Sequence, residues 1–580
     1  MGALFIVSAE DARFAARAVG AARVQFARLG LPDLIEHQCP GWRILHSGYA
    51  AGGPDLRISR PNGSAAVAGT MTVGGGMGLA ALQDLLARSG PPDFHREELG
   101  GQFAAIVQRA GRSFLFGDWF GAFPVYHDAG RRIFSTSLLA ALAAMPRAAL
   151  HRQAVYEFAF NIAPIGNHTV VEQLSLLAPG DVVELLPGGD TVSHHQSREQ
   201  DASESGAPVG VQIERLRDVL DTTIKAHASA ASRGVRCPLS GGIDSRLAFA
   251  AARAAGLSPD LYVYGPTGSC DVRIARSIAA GEGLPLDWFD QHDGACDAEA
   301  FAATVERNFH QSDGLPNFGN IFDAGGNAVA RDARHAGGAL AMSGGCGEVM
   351  RDFFRLPDQP TSVSRVARTF LSRFSADDAS ADFDGAAFVS ALAGTLGSAI
   401  GVDDLHRPMP RLLIEQLYPR VRCRALFGRE IGIEARYGPY LMPFLDHRFV
   451  AEAVRLPMAL RWAGRAEAML LAAIDPRLAA YPSSYGHHFA GPPSRRHRFD
   501  EWASRSRPAW LRERSYRLRR RLGATGDEHG SVPASSHMGR VIDLSFPHMR
   551  AFFRPERVRD PALWRRIACL EYFAGWMAAN

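Results

Sequence analysis

Nine residues near the middle of the chain, Pro238-Leu239-Ser240-Gly241-Gly242-Ile243-Asp244-Ser245-Arg246, combine two serines, two consecutive glycines and an aspartate between an apolar run and a helix-like stretch. That combination suits a phosphate or pyrophosphate. Consecutive glycines let the backbone turn sharply and bring its N–H groups up to an anion, and a following helix offers the positive end of its dipole. Ser240 and Ser245 add hydroxyl donors, and Asp244 is a hard oxygen ligand of the kind Mg²⁺ takes. GxxxxGK[ST] is absent and the glycine spacing is wrong for a dinucleotide fingerprint. The plainer alternative is a structural glycine turn between strand and helix.

A second glycine-rich segment, Ala341-Met-Ser-Gly344-Gly345-Cys-Gly-Glu348-Val349, begins its own serine-glycine pair 103 residues after Ser240. Between the two lies Tyr264-Gly-Pro-Thr-Gly-Ser-Cys-Asp271, and further on come Asp313-Gly-Leu-Pro316 and Tyr440-Leu-Met-Pro-Phe-Leu-Asp-His-Arg448. The first motif resembles the PP-loop of the N-type ATP pyrophosphatases, which cleave ATP between the α- and β-phosphates. The second is similar to the LSGxGxDE motif of the asparagine synthetase family, with Glu348 at the family's metal- and pyrophosphate-binding aspartate. The resemblance implies that Leu239, Ser240, Gly241, Gly242, Asp244, Ser245, Tyr264, Gly344 and Gly345 bind ATP and its pyrophosphate, and that Asp244 and Glu348 hold Mg²⁺. Asp271, the Asp313 turn and the Pro-Phe-Leu-Asp446 segment also sit at positions similar to the family's, with core or capping roles as the alternative.

The resemblance continues into the first half. Leu99-Gly-Gly-Gln-Phe-Ala-Ala105, Gly117-Asp-Trp-Phe-Gly-Ala-Phe-Pro-Val-Tyr126, Phe134-Ser-Thr-Ser137 and Leu177-Ala-Pro-Gly180 are similar, in order, to segments of the family's N-terminal glutaminase domain, an α/β/β/α sandwich. A working glutaminase of this kind uses an N-terminal cysteine whose α-amino group serves as base. Here the chain reads Met1-Gly2-Ala3, the nearest cysteine is Cys39, and Val67-Ala-Gly-Thr-Met71 stands where the family has Asn-Gly-Glu. The expectation is a domain that folds and does not hydrolyse glutamine.

These motifs need elements to position them. Residues 1–195 read as short β-type runs (Ala3–Val7, Gly101–Val107, Ser113–Phe116, Arg132–Phe134, Asp181–Leu185) with one helix between Gly78 and Arg88. Residues 196–210 are polar, as in a solvated linker. From 211 to 490 a helix (Gln212 to about Ser232), a strand ending at Pro238-Leu239, a helix (Ser245–Ala255) and a strand (Leu261–Tyr264) form a βαβ unit, and hence a parallel sheet. A helix-like stretch, Gly326–Ala336, precedes the second motif, and residues 362–480 are mostly helical by apolar spacing. Residues 491–580 are read as an Arg-rich, partly mobile C-terminal extension. The fold class is thus an α+β glutaminase-like sandwich followed by an α/β parallel-sheet ATP pyrophosphatase domain with helical additions.

Composition restricts the chemistry. Of 63 basic residues only Lys225 is lysine, against 60 acidic residues and a formal charge of +3. The lysine that many family members carry in the C-terminal domain has no counterpart. Its position reads approximately Ala468, and Arg461 or Arg465 would supply the charge, as electrostatic clamps rather than bases. Glu348, Tyr264 and Tyr485 remain as candidate bases. The seven cysteines are scattered without a CxxC pair, which argues against a disulfide framework or zinc site and for a reducing, cytoplasmic setting. His487-His488 is read as a loop near the site rather than a metal pair. No apolar run approaches the ~18–20 residues of a membrane span.

The glycine loop and the family resemblance together imply an ATP- and Mg²⁺-dependent, AMP-forming carbon–nitrogen ligase. It activates a small-molecule or peptide carboxylate as an acyl-adenylate and joins it to an amine supplied from elsewhere than its own glutaminase domain. The alternatives are a glutamine-hydrolysing asparagine synthase or amidotransferase, a β-lactam synthetase or lasso-peptide cyclase, and a tRNA-modifying PP-loop enzyme or pseudoenzyme. Nucleic acid is disfavoured by the matching first half, although Trp510–Arg521 is strongly basic. The oligomeric state is left open.

Overall fold

The computed structural model describes residues 2–31, 34–54, 56–61, 63–88, 91–92, 94–196, 203–290, 297–508, 510–512, 514–515, 518 and 534–579. Its strands in the first half are β1 (Ala3–Ser8), β2 (Ile35–Cys39), β3 (Trp42–Ser47), β4 (Arg57–Arg60), β5 (Gly63–Val73), β6 (Gly76–Met77), β7 (Leu99–Arg109), β8 (Arg112–Gly117), β9 (Tyr126–Asp128), β10 (Ile133–Ser135), β11 (Leu174–Leu176), β12 (Asp181–Leu185) and β13 (Thr191–His195). They form two antiparallel sheets, ordered β11-β9-β10-β1-β3-β2 and β13-β12-β8-β7-β5-β4, with β6 beside β5. β1 meets β5 across the interface between the sheets. Helices Ala12–Arg28 and Leu138–Ala143 cover the first sheet, and helix Leu79–Ala87 packs on β4, β5 and β6. All six residues of β1 are buried, as expected of a strand covered on both faces.

Where one helix was expected in this half, four form among the described residues: Ala12–Arg28, Leu138–Ala143 and Arg152–Asn161 join Leu79–Ala87. The inward stripe of the first is Ala15, Ala18, Val19, Ala22 and Phe26, opposite the exposed Arg13, Arg17 and Arg28, the spacing of an amphipathic helix. Its start is fixed by Asp11, which accepts hydrogen bonds from the Arg13 and Phe14 amides at 3.0 Å.

The third sheet contains β14 (Val235–Pro238), β15 (Asp260–Tyr264), β16 (Leu286–Phe289), β17 (Leu340–Met342) and β18 (Tyr440–Leu441). Its order is β16-β15-β14-β17-β18, and every pair is parallel. Helix Val209–His227 leads into it and passes into a 3₁₀ turn at Ala228–Arg233. Helix Ile243–Ala254 follows β14, and Gly326–Arg334 precedes β17.

The C-terminal ninety residues differ from a mobile extension. Helix Pro561–Ala579 buries Leu563, Ile567, Leu570 and Phe573 and packs against Arg152–Asn161 of the first half. Phe552 and Phe553 join Tyr156 in an aromatic cluster. Helix Arg495–Ser506 buries no residue. Half of the basic Trp510–Arg521 stretch, most of the Gly/Ser/His-rich segment after it and part of the 196–210 linker lie outside the described residues.

Charged side chains stitch the halves together. Arg424 donates to the carbonyls of Gly121 (3.0 Å), Gly166 (3.2 Å) and Leu177 (2.9 Å). The Thr70 hydroxyl donates to the Tyr440 carbonyl at 2.8 Å, and the Gln102 amide pairs with both backbone groups of Met442.

Candidate functional site

Strand order locates the site. From β14 the chain moves outward through β15 to β16, then returns to the opposite side of β14 as β17. The crevice at the carboxyl ends of β14 and β17 is therefore a topological switch point, where open parallel sheets bind their ligands. Both glycine motifs lie there: Leu239–Asp244 follows β14 and Ser343–Glu348 follows β17.

The first loop is braced from within. Leu239 is buried, and its amide donates to the Tyr262 carbonyl at 2.8 Å. The Ser240 and Ser245 hydroxyls are 2.8 Å apart, the Ser240 amide donates to Ser245 Oγ at 3.1 Å, and the Gly242 amide donates to Ser240 Oγ at 3.1 Å. Gly242 caps helix Ile243–Ala254 with no side-chain oxygen at its amides, so the end of the helix keeps its donors. Asp271, in the first turn of helix Cys270–Glu282, accepts from the Gly241 amide at 3.0 Å. Ser484 closes the loop from above, its amide donating to the Gly241 carbonyl at 3.0 Å.

The second loop docks on the first. A Cβ at Gly347 would lie 2.1 Å from Asp244 Oδ1, and one at Gly344 would lie 2.8 Å from the Asp244 carbonyl carbon and the Ser245 nitrogen. Only glycine permits this approach, which sets Glu348 and Asp244 in adjoining turns. Gly345 is turned away, towards Met442 and Phe427.

Three residues that the motifs did not signal, Arg351, Glu467 and Tyr418, complete the cluster. Arg351 Nη2 donates to both Asp244 oxygens, at 2.8 and 2.7 Å, and its Nε donates to Glu467 Oε2 at 2.5 Å. The Glu467 side chain is 0% exposed, against 21% for Arg351 and 22% for Asp244. Burial pushes the Glu467 carboxyl well above the usual carboxylate range, with Arg351 pulling it down and Asp244 pushing it further up. Glu348 accepts from the hydroxyl of the buried Tyr418 at 2.6 Å. Among the described residues, one guanidinium thus serves the carboxylates Asp244 and Glu467, with Glu348 nearby. Glu467 adjoins Ala468, where the lysine was sought, and its helical spacing alone reads as an ordinary surface glutamate.

Several expected residues are placed differently. Arg461 is no clamp: it is fully buried and donates to the carbonyls of Leu456 (3.1 Å), Val349 (2.9 Å), Ala453 (2.6 Å) and Arg351 (3.4 Å). Burial lowers its pKa to about 10. Its role is to hold the backbone after Glu348. Arg465 is exposed and donates to the Ala459 carbonyl at 3.2 Å. Tyr264 is engaged by Arg334, which also reaches Glu434 at 3.0 Å, and burial pushes the phenol up to about 12. Burial raises the Tyr485 phenol too, so neither tyrosine suits a base at neutral pH. Asp313 and Asp446 take capping roles: Asp446 caps helix His447–Ala453 and pairs with Arg448 at 2.8 Å. His487 lies among Tyr485, Phe489 and His497. No group of three or more His, Cys, Asp or Glu among the described residues could hold a metal by itself.

Cys39 ends β2 and is buried, with its thiol pushed up by burial, so it is not an activated nucleophile. Lys225 is exposed and pairs with Asp221 at 2.7 Å.

No family model matches the sequence, and no curated protein matches it. Among solved structures the chain is similar to one described as the allosteric regulatory enzyme of purine biosynthesis, at 15% identity and a TM-score of 0.23. It is also similar to the glutamine phosphoribosylpyrophosphate amidotransferase from B. subtilis complexed with ADP and GMP, at 14% identity and a TM-score of 0.23. Each match covers 50% of this chain and 65% of the other, less than two thirds of the neighbour's length. The layering of the first half rests on the strand pairing itself.

Proposed function

We propose that the protein is an ATP-dependent, AMP-forming amide ligase of the asparagine synthetase type, with a glutaminase-like first half that does not hydrolyse glutamine. The observation that carries this reading is the docking of two glycine loops at one switch point, with Gly347 pressed on Asp244. In this reading the open N-terminus of helix Ile243–Ala254 receives the phosphates, beside a turn whose Gly241 and Gly242 amides are held by Asp271 and Ser240. The Ser240 and Ser245 hydroxyls add donors.

Asp244 and Glu348 would hold Mg²⁺. Carboxylates from two adjoining loops suit a cation that completes its shell with phosphate oxygens and water, and a site with more carboxylates than cations repels a polyphosphate arriving without one. When bound, Mg²⁺ supplies charge neutralisation for the phosphates. The chain's own contribution is to position ATP so that a substrate carboxylate oxygen attacks the α-phosphorus and pyrophosphate leaves. An amine then attacks the acyl-adenylate carbonyl, forming the amide and releasing AMP.

The amine is not drawn from glutamine. Cys39 is inert, and Thr70, in the segment standing for the family's Asn-Gly-Glu, is committed to holding the Tyr440 carbonyl. The decisive experiment is carboxylate-dependent exchange of labelled pyrophosphate into ATP, with Asp244→Asn as control. Exchange that appears with a carboxylate and vanishes in the variant supports the reading. Exchange that depends on RNA instead points to a tRNA-modifying enzyme, and none with any carboxylate points to a pseudoenzyme.

A further inference from the structure

We propose that Arg351 is the exchangeable counter-ion of this nucleotide site. It neutralises Asp244 before nucleotide binds, and presents its guanidinium to the departing phosphate groups once the Mg²⁺-bound polyphosphate takes over Asp244. The inference rests on the ligase reading above and adds to it a residue that no motif assigns.

Elimination supports it first. A site that releases pyrophosphate needs a side-chain cation near the loops, and the sole lysine is exposed and paired with Asp221. Arg461 is saturated by buried carbonyls, Arg465 is exposed on Ala459, and Arg246 is held by the carbonyls of Tyr481 and Pro482. Arg351, by contrast, is already bonded to the aspartate that both loops enclose.

Its geometry is that of a hinge with one fixed side. The backbone is pinned, its amide donating to the Glu348 carbonyl at 2.9 Å and its carbonyl accepting from Arg461 at 3.4 Å. Nε is retained by Glu467, which is inaccessible to solvent and pairs with no other basic side chain among the described residues. The Nη2 contact to Asp244 lies on the open side, where Asp244 is partly exposed. Arginine's planar fork can keep one edge on Glu467 while another meets a phosphate oxygen, which a lysine ammonium on the same stem does less well.

The test uses the full chain and needs no turnover. Pyrophosphate with Mg²⁺ is titrated calorimetrically, and Mn²⁺ without nucleotide is titrated by electron paramagnetic resonance, into wild type, Arg351→Met and Arg351→Lys. Arg351→Met is expected to bind pyrophosphate about 10- to 100-fold more weakly, the loss of a charge-assisted contact. It is also expected to bind Mn²⁺ more tightly, because Asp244 has lost its competitor. Arg351→Lys keeps the charge should the methionine variant not fold, and is expected to recover part of the pyrophosphate affinity while still binding Mn²⁺ more tightly than wild type. Wild-type values for both ligands in either folded variant overturn the inference. A wild-type protein that binds neither ATP nor pyrophosphate with Mg²⁺ overturns the ligase reading instead.

Discussion

The Asp313 carboxylate caps a helix of the other half of the molecule: Ser137 Oγ donates to it at 2.6 Å, and the amides of Leu138 and Leu139 donate at 2.7 and 3.1 Å. Arg436, 2.9 Å away, balances its charge, and Asp313 itself has a φ of 54°. The halves are therefore joined through a helix cap whose carboxylate is buried against Arg436 of its own half.

Replacing Asp313 with alanine removes the acceptor of the Ser137, Leu138 and Leu139 donors and leaves Arg436 buried without its carboxylate. The expected loss is about 3–5 kcal/mol, the scale for breaking one side of a buried pair. Urea denaturation reads it as a lower midpoint; an unchanged midpoint would show that the halves do not depend on this contact.

The same group carries a pH dependence. Burial pushes the Asp313 carboxyl up, but Arg436, Arg429 and the donors Ser137 and Leu138 outweigh it, leaving it below the usual carboxylate range. Its stabilisation is thus fully present above the unfolded value of about 3.9 and is lost as pH falls through the lower folded value. The stability gap between wild type and Asp313→Asn should be flat from about pH 5 to 7 and narrow only below about pH 4. A gap that narrows near neutrality would assign the effect to another group.

Arg461 and Arg465 should separate cleanly. Arg461→Ala leaves buried carbonyls unpaired at about 1–3 kcal/mol each, so it should lower thermal stability before it affects any single catalytic step. Arg465→Ala should stay within about 0.5 kcal/mol of wild type and keep full pyrophosphate exchange. Loss of exchange in a stable Arg465→Ala protein would return that residue to the mechanism.

Gly347→Ala tests the loop docking. Its Cβ must displace the Asp244 carboxylate, so ATP affinity measured by calorimetry should fall at least about tenfold, since a contact worth about 1.4 kcal/mol carries that factor. Gly394→Ala, in helix Gly385–Ala399 with open space at the new Cβ, is the matched control and should leave binding unchanged. Equal behaviour of the two variants would remove the close approach from the binding account.

Cys39 should be silent. Cys270 is the exposed thiol among the described cysteines, whereas Cys39 is buried with its thiol pushed up. Cys39→Ser should therefore leave alkylation kinetics of the native protein unchanged, and glutamine should release no glutamate with either protein. Glutamate release that disappears in Cys39→Ser would restore a glutaminase.

The two glycine motifs, the parallel βαβ unit and the lack of a usable lysine are all local properties of the chain, set by short spacings and residue types, and they are visible without coordinates. Helix Ala12–Arg28 is equally local, with Arg13, Arg17 and Arg28 opposite Ala15, Ala18, Ala22 and Phe26, so the expectation of a single helix in this half overlooked a readable period. Helix Pro561–Ala579 gave no hint that it belongs to the core, since its partner Arg152–Asn161 is about 400 residues away. The exclusion of lysine said that the site needs arginine, but not which one. Arg461 is spent on backbone carbonyls and Arg351 faces Asp244, a division made by the fold of residues 347–351 around Arg461. Glu467 meets Arg351 across 116 positions of chain, and its burial, which no periodicity encodes, is what makes it an anchor. Composition and local pattern thus determined the kind of chemistry, whereas long-range packing decided which side chains are free to perform it.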